Sequence, residues 1–291
     1  MQTMFSAFYF FYFYCMKKSI IRDFIILIAI FAVLWIGFTY IPFFKTPAED
    51  VFSLSIANEE KLGKVITDAM QKDANNPLES NPTLDSAMTL VKTRLVNSLG
   101  TTNYEYHFSV VESPTINAFT LPGGNIYVYS GLINFCQSPE ELAAILAHEM
   151  GHAEKRHVVT KLAKELGVSI LFTVISGGDG IMVGEIGRTA LSTVFDREQE
   201  KEADDFSFAL MEKAKLNPKA MATFMRRLND KNAGMEKYSE HLELLMTHPN
   251  TNSRIKSSLE YKTAKGFAEQ PLSTDWKRVK ASLKKEEKHE E

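Results

Sequence analysis

The pentapeptide His148-Glu149-Met150-Gly151-His152 constrains this chain more than any other stretch, because it asks for both a helix and a partner for that helix. Residues four apart lie on one helical face, so the two imidazoles can reach a single metal ion. The carboxylate between them then stands beside the ion, where it can take a proton from an attacking water. The flanks predict the helix. Ser138 reads as its N-cap, Pro139 fits the first helical position, and Glu141 completes a capping box. Leu142, Ile145, Leu146 and Met150 make an apolar stripe at helical spacing. The helix is expected to run to about Val158, where Arg156 and His157 suit a C-terminal end. A surface helix that carries two histidines by accident is the alternative. Against it, Ala143, Ala144 and Ala147 mark a closely packed core element, and polar groups buried there need a partner, of which a metal is the simplest.

A catalytic zinc keeps three protein ligands and leaves a fourth position open. The best donor of the third is the run from Asp196 to Asp204, DREQEKEAD. Asp196 can cap a helix with Gln199 at its third position. Glu200 and Asp204 then share a face, with Ala203 small enough to let that face approach the first helix. Glu200 is the candidate ligand, and Asp204, one turn on, can accept the free ring N–H of a metal-bound histidine. Taken alone, a stretch surrounded by Arg197, Glu198, Lys201 and Glu202 reads as a solvated charged face. The histidine helix tips the balance toward a ligand.

With both motifs in place, the chain resembles the membrane-associated zinc metalloproteases that include HtpX, the CaaX prenyl endopeptidase, the mitochondrial overlapping-activity protease and BepA. HExxH followed some fifty residues later by ExxAD carries the resemblance. Three further stretches are similar to that family: Asn117-Ala118-Phe119-Thr120-Leu121-Pro122-Gly123-Gly124 with Ile126-Tyr127-Val128, then Ser138-Pro139-Glu140-Glu141-Leu142, then Thr247-His248-Pro249 with Arg254. The five motifs occur in order over roughly Met88 to Tyr261. The resemblance implies one Zn2+ per subunit on His148, His152 and Glu200, with Glu149 as general base and Asp204 behind a zinc histidine. It also implies that His248 is a site residue, which caps the zinc at rest or assists the oxyanion. A lone His-Pro in a loop would otherwise read as a turn with a solvated ring. His107, His157, His241 and His289 have no partner at metal-ligand spacing and read as structural or surface residues.

The second strong signal is the uncharged run from Phe24 to Phe44. At 1.5 Å per residue a helix of this length reaches about 31 Å, enough to cross a bilayer's hydrocarbon core. Lys17, Lys18 and Arg22 precede it and Glu49 and Asp50 follow, so the positive-inside bias puts the N-terminus in the cytoplasm and the catalytic domain on the periplasmic or extracytoplasmic side. A cleaved signal peptide is the runner-up, disfavoured by the length of the apolar core and the poor site at Thr46-Pro47-Ala48. Met16-Lys17-Lys18 looks like a natural start downstream of the first fifteen residues. The expected organisation is therefore a cytoplasmic segment 1–23, a single-pass anchor 24–44, a zinc metalloprotease domain 45–265 and a charged C-terminal tail 266–291. The formal charge of −3 carries no basic stripe, so no nucleic-acid partner is expected. Cys15 and Cys136 read as unpaired thiols.

Within the domain, Val51 to about Gln71 is helical in pattern, Lys72 to Asp85 reads as a loop, and a helix through Leu84, Met88, Val91 and Leu95 ends at Gly100. Tyr104 to Val111, Ile116 to Leu121 and Ile126 to Tyr129 read as three strands. Val168 to Ile175 is too short to span a bilayer and is either a core helix or a mobile flap over a cleft. Helices are expected after Asn217-Pro218 and from Asn250 or Thr251 to about Ala264, with a solvated tail from Lys284. These readings combine into an α+β fold, a mostly helical zincin-type metalloprotease domain with a small antiparallel sheet, preceded by one transmembrane helix. The expected function is a membrane-anchored zinc metalloendopeptidase acting on unfolded polypeptides in envelope quality control. A catalytically weak metal-binding chaperone or binding module at the membrane is the rival, and the intact Glu149 argues against it.

Overall fold

A hairpin of strands seated between two apolar cores sets the geometry of the molecule. The computed structural model describes residues 22–33, 35, 54–72, 77–178, 180–192, 194–233, 243–249 and 251–283. They divide into two compact units, Met1–Ser53 and Leu54–Glu291. In the first, residues 22–33 and 35 are helical and exposed, with Phe24, Ile25, Leu27 and Phe31 among the exposed side chains. Among the described residues no helix is long and apolar enough to cross a membrane. Much of the expected span, at 34 and 36–44, lies outside the described residues, as do residues 1–15, His241, His289 and the tail 284–291.

The second unit begins with α1 (Ile56–Met70), capped by the Ser55 hydroxyl, and α2 (Pro82–Leu99), capped by Asn81 with Pro82 in the first turn. Then come β1 (His107–Val111), β2 (Ala118–Leu121), a turn at Pro122–Gly124 and β3 (Asn125–Tyr129). Nine helices follow among the described residues: α3 (Ser130–Phe135), α4 (Pro139–Glu154), α5 (His157–Leu166), α6 (Val168–Ile175), α7 (Gly180–Leu191), α8 (Arg197–Lys213), α9 (Ala220–Ala233), α10 (Glu243–Thr247) and α11 (Thr251–Glu260), with α12 (Trp276–Ser282) after them making the count ten.

The sheet is mixed, which corrects the antiparallel expectation. Its order is β1-β3-β2, with β2 antiparallel to β3 and β1 parallel to it. The tight turn makes β2 and β3 a hairpin, and β1 takes the far edge of β3. To get there the chain crosses the end of β3 within residues 112–117. Gly131 admits that crossing, since a Cβ there would stand 2.1 Å from the Pro114 carbonyl oxygen. Ser130 clamps it by accepting from the Ser113 N–H at 3.0 Å and donating to the Ser113 carbonyl at 3.0 Å. Alternating side chains serve two cores. Ala118, Ile126 and Val128 join the larger one with α2, α4, α8, α9 and α12, while Phe119, Leu121, Tyr127 and Tyr129 join a second with α1, α5, α6 and α7. A sheet buried on both faces explains why all four residues of β2 are buried.

Two boundaries also move. The metal helix stops at Glu154 rather than Val158, because Arg156 takes a left-handed φ of 57° and His157 opens a new helix. The Arg156 guanidinium is held there by buried Glu59 at 2.9 Å and by the Leu54 carbonyl. At the other end, part of the segment 266–291 set apart as a tail is core. Leu272, Trp276, Val279 and Leu283 are buried, and the Trp276 indole donates to the Cys136 carbonyl at 2.9 Å. The segment Val168–Ile175 is a helix whose Leu171 and Val174 are buried in the second core while Phe172 and Thr173 are exposed.

Candidate active site

Helix α4 is buried along its whole length from Glu141 to Ala153, as expected of a helix that neighbours surround on every side. Ser138 caps it by accepting from the Glu141 N–H at 3.4 Å. The Glu141 carboxylate does not close the expected box. It accepts from the Gln137 N–H at 2.8 Å and pairs with Arg227 at 2.6 Å. The capping box predicted at the start of α8 does form, between Asp196 and Gln199. The two helices meet at the smallest available side chains: a Cβ on Gly151 would lie 2.9 Å from the Ala203 Cα. That close approach brings the acidic face of α8 onto the two histidines.

Four side chains converge there. His148 and His152 from α4, Glu200 from α8 and His248 just after α10 offer ligand atoms that all lie within 4.8 Å of one another, and all are buried. His148 Nε2 stands 3.1 Å from His152 Nε2 and 3.3 Å from His248 Nδ1. Glu200 Oε1 stands 3.4 Å from His152 Nε2 and 2.8 Å from His248 Nδ1. Nitrogen and oxygen donors bonded to tetrahedral zinc at 2.0–2.1 Å are about 3.3 Å apart. The donor set therefore matches zinc in type, number and spacing. Glu200 Oε2 has no aligned hydrogen bond, although Arg254 Nη1 approaches it at 3.0 Å.

Around the donors, each expected residue has a partner. Asp204 Oδ1 faces His148 Nδ1 at 2.9 Å, so a proton on Nδ1 leaves Nε2 bare toward the cluster. Glu149 is fully buried, and Thr120 Oγ1 on β2 lies 2.9 Å from its Oε2 and 2.9 Å from its backbone carbonyl. Its other oxygen, Oε1, has no hydrogen bond and lies 3.4 Å from His248 Nε2. His248, the ring that a lone His-Pro would leave in solvent, is thus buried between the base and the ligands. The segment carrying it is tied at both ends, by Leu244 N–H to the Ile116 carbonyl at 3.3 Å and by Phe195 N–H to the Thr247 carbonyl at 3.4 Å.

Phe195 and the place of His157 escaped the sequence reading, which named Arg254 with the late histidine motif but gave it no partner. Arg254 of α11 is buried and bridges Asp204 through Nε and Nη2 at 3.0 and 2.9 Å. Phe195 stacks on the His152 ring with centroids 3.8 Å apart. His157, read as structural or surface, is buried with Nδ1 3.0 Å from His152 Nδ1. His107 is exposed.

Three buried carboxylates, Glu149, Glu200 and Asp204, face one buried guanidinium, an excess of negative charge suited to a divalent cation. Burial pushes the Glu200 carboxyl up, but His248 and Arg254 outweigh it and hold the group well below the usual carboxylate range. Burial likewise opposes ionisation of Asp204, yet Arg254 and His148 bring it down to about 2. Burial keeps His152 well below its ordinary value and therefore neutral, as a metal ligand must be. His248 is also penalised by burial, and Glu200 more than compensates, raising it.

Comparison with known proteins agrees with this geometry. Residues 85–262 match the model of peptidase family M48, and the chain belongs to that family. It is 30% identical over 220 residues to a beta-barrel assembly-enhancing protease of Yersinia pestis, covering 71% of this chain and 44% of the relative. It is 32% identical over 173 residues to the mitochondrial metalloendopeptidase OMA1 of Schizosaccharomyces pombe, covering 58% of this chain and 50% of that one. The metalloprotease LoiP of Escherichia coli is 30% identical over 145 residues, 47% of this chain and 57% of the relative. The chain spans about half the length of these relatives or slightly more or less. Metalloproteases of the family use zinc, and the cluster of His148, His152, Glu200 and His248 can hold such an ion.

Proposed function

We propose that this chain is a membrane-anchored zinc metalloendopeptidase that cleaves unfolded or damaged envelope proteins. The observation that carries the reading is the buried set of four donors at zinc-like spacing with Glu149 alongside. His148, His152 and Glu200 hold the ion. When bound, zinc supplies a Lewis acid that polarises the scissile carbonyl and acidifies water. Glu149 does the proton work: Thr120 fixes one carboxylate oxygen, and the unbonded Oε1 takes the proton of the attacking water and passes it to the leaving amine. β2 is an edge strand in the described sheet and touches Glu149 through Thr120. An extended substrate pairing near Asn117–Thr120 would need to be unfolded there. The apolar run 24–44 supports the anchor, and relatives named for β-barrel assembly support an envelope setting.

Casein and a stably folded protein, offered to the full chain in detergent, test the reading. Casein should be cleaved and the folded protein spared, with cleavage lost to a chelator and restored by zinc. Zinc binding without cleavage would favour the rival metal-binding chaperone. Ligand and supporting carboxylate separate by metal content. Glu200→Ala should lower zinc content sharply, whereas Asp204→Ala should weaken affinity about 10–100-fold without emptying the site. The reverse result would exchange their roles.

His248 sits among the donors and beside the base, where it would stand in the way of an attacking water. We read this arrangement as a resting state that opens when the segment 243–249 moves. His248→Ala should then raise basal casein cleavage. A loss of about 10²–10³-fold would make His248 an oxyanion donor instead. Activity within about twofold of wild type, far from the loss of such a donor, would remove it from the mechanism.

A further inference from the structure

The two histidines of α4 are supported differently. His148 has its Nδ1 on Asp204 directly, at 2.9 Å. His152 Nδ1 instead faces another imidazole nitrogen, His157 Nδ1, at 3.0 Å. On the far side of that ring, His157 Nε2 lies 3.0 Å from Glu202 Oε2. We infer that His157 and Glu202 form a relay that holds His152 in the orientation and tautomer presenting Nε2 to the metal. The inference rests on the ligand assignment proposed above.

A proton inventory supports it. An ionised carboxylate only accepts, so His157 Nε2 must be the donor to Glu202. To bind a metal through Nε2, neutral His152 must carry its proton on Nδ1. His152 Nδ1 is then a donor, and the ring nitrogen that faces it, His157 Nδ1, must accept. The two demands agree on one arrangement: His157 is neutral, with its proton on Nε2. Each hydrogen bond in the line has one donor and one acceptor, and no proton is left over.

The backbone builds the contact. On one continuous helix, residues five apart point about 140° away from each other, and His157 could not reach His152. The left-handed turn at Arg156 ends α4 and starts α5, which returns the His157 ring to α4. Phe195 lies face-on against His152 at 3.8 Å and 6.1 Å from His157, closing the other side. Helix α8 therefore supplies three acidic residues with separate tasks: Glu200 toward the metal, Asp204 on His148, and Glu202 on His152 through His157. His157 and Glu202 touch neither metal nor substrate and are positioning residues.

The test compares two substitutions at His157 in the full chain, with zinc affinity read by competition against a chromophoric chelator. His157→Phe keeps a ring for packing and removes the acceptor, whereas His157→Asn keeps an acceptor near Nδ1 and gives up the ring. Zinc affinity should fall about 10–100-fold in His157→Phe and stay within about threefold of wild type in His157→Asn. Glu202→Ala, at a side chain 43% exposed, should fall between them. In the metal-free protein, nitrogen-15 spectra of labelled histidine should show the Nδ1–H tautomer of His152 in wild type and His157→Asn, and a tautomer mixture in His157→Phe. Affinity of His157→Phe within about twofold of wild type, or an equal loss in both His157 variants, would overturn the relay; a purely packing role predicts that Phe is the better replacement. Wild-type protein that binds no zinc would defeat the ligand assignment itself, a result distinct from either. Should His157→Phe not fold, the tautomer of His152 in Glu202→Ala decides, and an unchanged spectrum overturns the relay.

Discussion

Glu149→Gln is expected to keep its zinc and lose nearly all of its peptidase activity. Gln has the same shape, and the Thr120 hydroxyl can still donate to its amide oxygen, so the neighbours of this fully buried side chain keep their places. His148, His152, Glu200 and His248 are untouched. The amide cannot accept a proton from water at neutral pH, and a positioned general base contributes about 10²–10⁴-fold to the rate. Zinc content measured beside casein cleavage, in this variant and in wild type, checks the expectation. A substituted protein with wild-type turnover would remove Glu149 from the role of base.

The largest effect on stability is expected from Arg254→Met. This guanidinium is buried, doubly bonded to Asp204 and 3.0 Å from Glu200. Removing it strands the charge on Asp204 and leaves Glu200 relying on His248. Breaking a buried pair from one side costs about 3–5 kcal/mol. For a domain of this size that corresponds to a fall in the melting temperature of roughly 6–20 °C. The metal-free protein should show the full loss, because bound zinc gives Glu200 a second counter-charge. Arg254→Lys should recover only part of it, since an ammonium cannot reproduce the two-point contact with Asp204. Thermal melts of wild type and both variants, with chelator present, give the comparison. A melting temperature for Arg254→Met within a degree of wild type would show that the ion pair contributes little.

The metal helix and its acidic partner were legible because local rules govern them. Ser138 and Pro139 open α4, Asp196 and Gln199 close a box on α8, and both motifs follow helical spacing. Gly151 and Ala203 at the contact then needed no long-range information beyond small side chains. What was not legible depends on the path of the chain. Alternation identifies β1 but not its partner, and the crossing at Gly131 makes its pairing with β3 parallel. The left-handed Arg156 hides His157, because the separation from His152 is wrong for one helix and right for two. Arg254 meets Asp204 fifty positions away, and only tertiary packing shows it. The helix Trp276–Ser282 did leave a signal, in Trp276, Val279 and Leu283, which the surrounding lysines obscured.

The central claim is that one zinc ion sits among these side chains. Crystals of the full chain, with diffraction recorded on both sides of the zinc absorption edge, test it most directly. The account predicts a single anomalous peak per subunit, about 2.0–2.2 Å from His148 Nε2, His152 Nε2 and a Glu200 oxygen, with Glu149 close by but unbonded to it. A peak bonded to residues outside His148, His152, Glu200 and His248, or zinc-supplemented crystals with no peak at this cluster, would contradict it.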